Sequence, residues 1–215
     1  MKKSFLFLVP FILLSCNFDK NKVDSSQFEE EISNREIKRV TAVQILEQAL
    51  KQGDIISKNS QKAIGGKLKM AIQQGGVVSA IGFCNASVSS IVDSLKSNFN
   101  ADIKRTSLKL RNPNNAPNNK EKQLLEAYQY SFDKKSPIKE STQELDDGTI
   151  LYTKPIFIKP LCLNCHGKSG ETLNQNTYTK IKELYPNDSA INYNTGDLRG
   201  MWSIKLTKKM LVKSL

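Results

Sequence analysis

The sequence predicts an α+β domain. Apolar residues recur at helical intervals through the first half of the chain and alternate as strands do after Asn98, and a hairpin-forming Asp146-Asp147-Gly148 lies between two of those alternating runs. Helices first and an antiparallel sheet later is the order of an α+β fold.

Ile37, Val40, Val43, Leu46 and Leu50 return every three or four positions, which predicts a first helix. A second is expected through Ala63, Ile64, Leu68, Ala71 and Ile72, weakened by Gly65-Gly66 and closed by Gly75-Gly76. The third is the clearest: Val77, Ile81, Cys84, Val88, Ile91 and Leu95 fall on one stripe, so Cys84 should face inward. Ile103 to Leu110 alternates as a strand, and Arg111 to Pro117 is rich in turn-forming Asn and Pro. Glu121 to Tyr130 is expected to be a helix. Lys139 to Leu145 and Thr149 to Ile158 read as hairpin strands, with Pro155 placing the second at an edge or breaking it. Leu173 to Tyr185 reads as a helix stopped by Pro186, and Trp202, Ile204 and Leu206 alternate in a last strand.

The N-terminus carries an export signal. Lys2 and Lys3 precede an apolar run from Phe5 to Leu14, and Leu13-Leu14-Ser15-Cys16 resembles a lipobox. That run is too short to cross a bilayer, for which about 20 residues are needed. Residues 1–15 are therefore expected to be removed, leaving Cys16 to carry lipid and 16–34 to serve as a polar tether. Leu14 is a less usual lipobox residue, which keeps ordinary secretion as the alternative. Residues 35–215 form the single domain.

The chain has 32 basic and 21 acidic residues, a net charge of +11. Outside the cytoplasm such a surface suits an acidic redox partner or anionic lipid, and nucleic acid is not an expected partner there. A soluble, lysine-rich surface with no partner is the plainer reading.

The most specific chemistry lies in Cys162-Leu163-Asn164-Cys165-His166, where His166 is the chain's only histidine. Two thiols at this spacing can add across the vinyl groups of a haem, and the adjacent imidazole then becomes the proximal iron ligand. A redox dithiol or a zinc site is the alternative use of such a pair. Zinc would have to recruit Cys84 or Cys16, and a thioredoxin-like dithiol expects a βαβ context, whereas Lys159-Pro160 and Gly167-Lys168-Ser169-Gly170 make this segment look like a loop. Covalent haem is the preferred reading, and export agrees with it. With Cys16 assigned to lipid and Cys162 and Cys165 to thioethers, Cys84 is left without a disulfide partner. Candidates for a sixth ligand are Cys84, Met70, Met201, Met210, a lysine or a tyrosine, and composition does not choose among them.

Four blocks carry a family resemblance: Ala80-Ile81-Gly82-Phe83-Cys84, Arg105 to Pro117, Lys159 to Gly167, and Gly196-Asp197-Leu198-Arg199-Gly200. In these the chain resembles the Tll0287-like family of single-haem c domains, from about Val40 to Leu206. The resemblance implies a PAS-like antiparallel sheet flanked by helices and one covalent haem. It also implies iron held by His166 on one side and the Cys84 thiolate on the other. Some relatives place this domain before signalling modules, which implies sensing as a second role.

Arg111 and Arg199 are candidates to meet the haem propionates, because a guanidinium binds a carboxylate in bidentate fashion. Tying turns together is the structural alternative for both. Leu161, Leu163, Phe157 and Trp202 are candidate haem-packing residues. No nucleophile-base pair, phosphate loop or paired carboxylates stand out, so enzymatic turnover is not expected. Three functions follow: a lipid-anchored extracytoplasmic haem protein in electron transfer, a haem-based redox or gas sensor acting through a partner, or a haem-free dithiol lipoprotein.

Overall fold

The computed structural model describes residues 40–215. The expected signal 1–15, Cys16, the tether 16–34 and Ile37 lie outside the described residues.

A single helical run, α1 (Ala42–Phe99), spans 58 residues. Thr41 starts it: its hydroxyl accepts the Gln44 N–H at 3.2 Å, and the Gln44 side-chain oxygen accepts the Thr41 N–H at 2.9 Å. This capping box satisfies donors that a helix end leaves free. Asn100, in the left-handed region at φ 48°, ends the run.

Two arms make up this helix where three helices were expected. Gly65-Gly66 does not interrupt the first arm. Each glycine costs about 1 kcal/mol relative to alanine, and Ile56, Ser60 and Ile64 are buried in the preceding turns, which holds the segment helical through tertiary packing. Gly76 does interrupt, at φ 74° and ψ 179°. That conformation is essentially confined to glycine, so the bend between arms 42–75 and 77–99 is set by one residue.

The sheet contains β1 (Asp102–Thr106), β2 (Ser141–Glu144), β3 (Ile150–Phe157) and β4 (Leu198–Leu206), in the order β1-β4-β3-β2 with every pairing antiparallel. Between the strands lie α2 (Asn119–Asp133), the one-turn α3 (Leu163–His166) and α4 (Gln175–Leu184); α5 (Lys208–Lys213) follows β4. The expected α+β class and antiparallel sheet are thus present.

Several boundaries differ from the sequence expectation. β1 stops at Thr106 and not at Leu110, because the Ser107 hydroxyl turns to the Arg199 carbonyl at 2.6 Å and Lys109 reaches the Ile191 carbonyl at 2.7 Å. β2 is shortened to four residues, and its ladder ends at Ser141 opposite Thr153. Consequently Pro155, on an inner strand, needs no hydrogen bond toward β2 and is tolerated there. The short α5 has too few residues for a periodic signal, yet Thr207 caps it and Leu211 is fully buried.

Period-two alternation divides the sheet into two faces. The inner face presents Ile103, Ile150, Tyr152, Trp202, Ile204 and Leu206 to Ala49, Ile56 and Ile64, with Val88, Ile91 and Leu95 packed beside them. Burying each large aliphatic side chain contributes about 1.5–3 kcal/mol. The outer face packs Leu198 and Met201 against Leu125 and Tyr128 of α2. Met201 is fully buried in that outer layer, so it is a core residue.

Glu121 locks α2 to the outer face. It accepts the Asn118 N–H at 2.9 Å, the Lys104 ammonium at 2.8 Å and the Ser203 hydroxyl at 2.7 Å. Burial pushes its carboxyl up, but Lys104, Asn118 and Ser203 together hold it below the ordinary carboxylate range. A carboxyl depressed in the folded state stabilises the fold above its unfolded value, near pH 4, and that contribution is lost as pH falls through the depressed value. Glu121→Gln is therefore expected to cost about 1–2 kcal/mol at pH 7 in urea unfolding. The variant should also lose less stability than the parent on acidification; equal acid sensitivity would show that Glu121 does not carry this linkage.

Candidate functional site

The segment from Pro160 to Gly167 is wound, not loop-like as expected: a 3-10 turn over Pro160–Cys162 runs directly into α3. Pro160 enters at the first position, where its missing N–H costs nothing. Two turns of this kind place Cys162, Cys165 and His166 within one compact unit. Cys84, Cys162 and Cys165 form no disulfide among the described residues.

Three hydrogen bonds fasten the box to residues 190–193, and a fourth ties it to Arg111. Tyr193 N–H donates to the His166 carbonyl and Asn192 N–H to the Gly167 carbonyl, both at 3.0 Å. The Arg111 guanidinium donates to the Cys165 carbonyl at 2.6 Å, and His166 Nδ1 meets the Ala190 carbonyl at 2.6 Å. A carbonyl only accepts, so Nδ1 carries the proton and Nε2 is left with a free lone pair. Burial, then the positive charges of Arg111 and Arg199, hold the imidazole well below its usual pKa, outweighing the opposite pull of Ala190. His166 is neutral at pH 7 and able to ligate a metal through Nε2.

Arg111 serves as the bracket of this assembly. Its Nε and Nη2 meet the two carboxylate oxygens of Asp188 at 3.1 and 3.3 Å, and Nη2 also reaches the Ala190 carbonyl at 3.3 Å. Asp188 in turn accepts the Ala190 N–H at 3.1 Å. The Asp188 side chain is fully buried and that of Arg111 nearly so. Asp188, Ala190 and Tyr193 were not legible as site residues, since they lie in an aperiodic stretch after Pro186.

The second expected arginine, Arg199, takes a different position. It donates to the Lys109 carbonyl at 3.0 Å and lies 5.6 Å from the centroid of Tyr193, while Lys109 Nζ lies 4.2 Å from the same ring. Tyr193 stands edge-on to His166, with ring centroids 6.3 Å apart. Among the described residues neither Arg199 nor Lys109 has a carboxylate ion-pair partner. Burial lowers the pKa of both.

Cys84 is half-buried on the second arm of α1, where its neighbour Ile81 packs with Leu173, Ile181 and Tyr185, beside Cys165. Burial pushes the Cys84 thiol up while Arg105 and then Arg111 pull it down. The Cys165 thiol is pushed up to about 11, chiefly by burial, with Arg111 opposing and Cys84 and Cys162 adding to the rise. The structure thus brings Cys84, Cys165, His166, Arg111 and Arg199 into one electrostatic neighbourhood, and it adds Arg105, Lys109 and Tyr193. Among the described residues, no three His, Cys, Asp or Glu side chains gather closely enough to hold a bare metal ion. Of the expected packing residues, Trp202 is buried in the inner core, Leu163 is half-buried, and Phe157 and Leu161 are exposed.

Removing one partner of the Arg111–Asp188 pair strands a buried charge. Arg111→Leu is expected to cost about 3–5 kcal/mol, and Arg111→Leu with Asp188→Leu to recover part of that loss. A double-mutant cycle by chemical unfolding measures the coupling. Strictly additive losses would contradict the bracket role.

The Tll0287-like family model matches residues 29–207 of this chain. A solved structure, described as that of the cyanobacterial heme-protein Tll0287, is similar at 25% identity and a TM-score of 0.48, covering 66% of this chain and 93% of that one. No curated protein matches the chain. Because the family match runs through the helical arms, the sheet and the box alike, this chain belongs to the Tll0287-like family.

Proposed function

We propose that the chain is an extracytoplasmic haem-binding protein that carries electrons and is not an enzyme. Cys162 and Cys165 are the thioether attachments of one c-type haem, His166 is the proximal ligand and Cys84 the distal one. One observation carries this reading: the box histidine is neutral, with Nδ1 engaged by Ala190 and Nε2 free, as an iron ligand requires. When bound, such a haem supplies a one-electron ferric/ferrous couple.

The surroundings of the ligands agree. The apolar window of α1, with mean hydropathy 1.5 over 18 residues, is only 11% buried. On the second arm Phe83 and Cys84 are half-buried and Val78 is exposed, which leaves apolar side chains that could meet the face of a macrocycle. Lys109 and Arg199 offer positive charge without a carboxylate partner, as carboxylate side arms of a cofactor would need. Among the described residues the donors are too dispersed to close around a bare ion, which argues against a zinc site built from them.

In this reading Cys16 anchors the protein to a membrane by lipid, and the basic surface meets an acidic electron-transfer partner. Ligands borne by a packed helix and a bracketed turn change geometry little, which favours electron transfer over sensing.

Two outcomes are expected. Protein matured in a host with haem-attachment machinery gives a pyridine haemochrome of the thioether type, and Cys162→Ala with Cys165→Ala abolishes it. Cys84→Ser changes the ferric spectrum of the intact protein while haem stays attached. An unchanged spectrum would remove Cys84 from the iron. Carbon monoxide separates carrier from sensor: ferrous protein that forms no adduct is a closed carrier, whereas a ready adduct would show that Cys84 leaves on reduction and would favour the sensing alternative.

A further inference from the structure

The C-terminal end of α2 and the end of β3 share an open cleft of about 440 Å³, lined by Phe132, Asp133, Lys135, Ser136, Ile138 and Phe157. Its floor is apolar. Phe132 and Ile138 pack against the outer layer of the sheet, and the Phe157 ring lies 6.5 Å from that of Phe132. Phe157 is 39% exposed, and two more apolar residues within four positions of the lining are exposed further, Tyr130 at 66% and Leu161 at 56%. Large side chains exposed singly are ordinary, but a group of them beside a cleft marks a contact surface.

Lysines rim this cleft. Lys135 lines it, and Lys134, Lys139 and Lys159 lie within two residues of its lining, all four exposed. Among the described residues none of the four has a carboxylate ion-pair partner. Against them stand Asp133, whose carboxylate accepts the Gln129 amide at 2.9 Å, and Glu140. Lys135 is held at φ 54°, the left-handed conformation that a helix end ordinarily gives to glycine or asparagine. A longer side chain there costs about 1–2 kcal/mol. The turn thus accepts strain at the position that puts an ammonium group on the cleft wall.

We propose that this cleft is the docking face for a protein electron carrier that presents an apolar projection ringed by carboxylates; this rests on the haem reading above. Charge complementarity selects the partner, because ammonium groups around an apolar centre match carboxylates around an apolar knob. Position selects its chemistry. Phe157 precedes Cys162 by five residues, at most about 18 Å of chain. Leu161 adjoins that cysteine, so a partner seated here stands beside the segment that carries the haem. A small contact suffices, since transient redox complexes bury less than about 1,200 Å². A recess receives a protruding protein side chain better than the flat plane of a bilayer.

The test is oxidation of the ferrous holoprotein by an acidic blue-copper protein, followed by stopped flow. One electron passes from ferrous haem to cupric copper, leaving ferric haem and cuprous copper, and no proton moves. Lys134→Glu with Lys135→Glu is expected to slow the bimolecular rate on the order of tenfold at low salt and to flatten its ionic-strength dependence. Phe157→Ser should slow it about fivefold while leaving the salt dependence parental. Lys209→Glu with Lys213→Glu is the control, because α5 follows Leu206, at the end of β4 opposite the Leu198–Phe157 pair. The same change in net charge there should leave the rate within about twofold of the parent. Equal slowing by the two charge variants would overturn the proposal, since net charge alone would then act. A parental rate in the cleft charge variant would overturn it too. Loss of binding to phosphatidylglycerol vesicles in that variant would then assign the face to a membrane, and self-association abolished by Phe157→Ser would assign it to a second copy. A protein without a haem spectrum fails the haem reading itself; a normal spectrum with parental rates in both cleft variants fails only the docking face.

Discussion

The buried contact between Arg111 and Asp188 is the constraint on which the site depends. A single guanidinium fixes a carboxylate, the carbonyl of Cys165 and the carbonyl of Ala190. Ala190 is in turn the acceptor that fixes the His166 tautomer. The pair therefore does not contact a ligand in order to matter; it sets which ring nitrogen is available. Desolvation makes such pairs costly to form, yet costlier to break one partner at a time.

Charge at the site follows the same economy of position. The charges of Arg105, Arg111 and Arg199 act on two thiols and one imidazole, and Asp188 neutralises only Arg111. Burial first, and then this positive charge, holds His166 neutral, and the same charge opposes the desolvation that raises the thiols. An anionic partner complements it, whether a thiolate on iron or carboxylates carried by a cofactor. The fold contributes by bringing β1, the box and the second arm of α1 to one end of the sheet.

Much of this was legible in the sequence, because it was written in local periodicity or in rare residue types. The stripe from Ile81 to Leu95 and the Asp146-Asp147-Gly148 hairpin declare themselves through spacing, and the lone histidine beside two cysteines declares its chemistry. Gly76 gave its turn signal correctly, whereas Gly65-Gly66 misled: tertiary packing overrides a propensity cost of about 1 kcal/mol per glycine. The end of β1 at Thr106 was hidden because it is set by Ser107 and Lys109 reaching residues far along the chain. Asp188 and Ala190 were hidden for the same reason, since a bracket closed across 77 positions leaves no local pattern.

The central claim is that sulfur from Cys162 and Cys165 bonds this chain to a porphyrin. Intact mass of the exported, delipidated protein, taken under denaturing conditions that strip any non-covalent cofactor, tests it most directly. The account predicts a species heavier than the polypeptide by one haem, and a return to polypeptide mass in the Cys162→Ala, Cys165→Ala double variant. A parent protein of polypeptide mass, matured alongside a control cytochrome that does acquire haem, would contradict it.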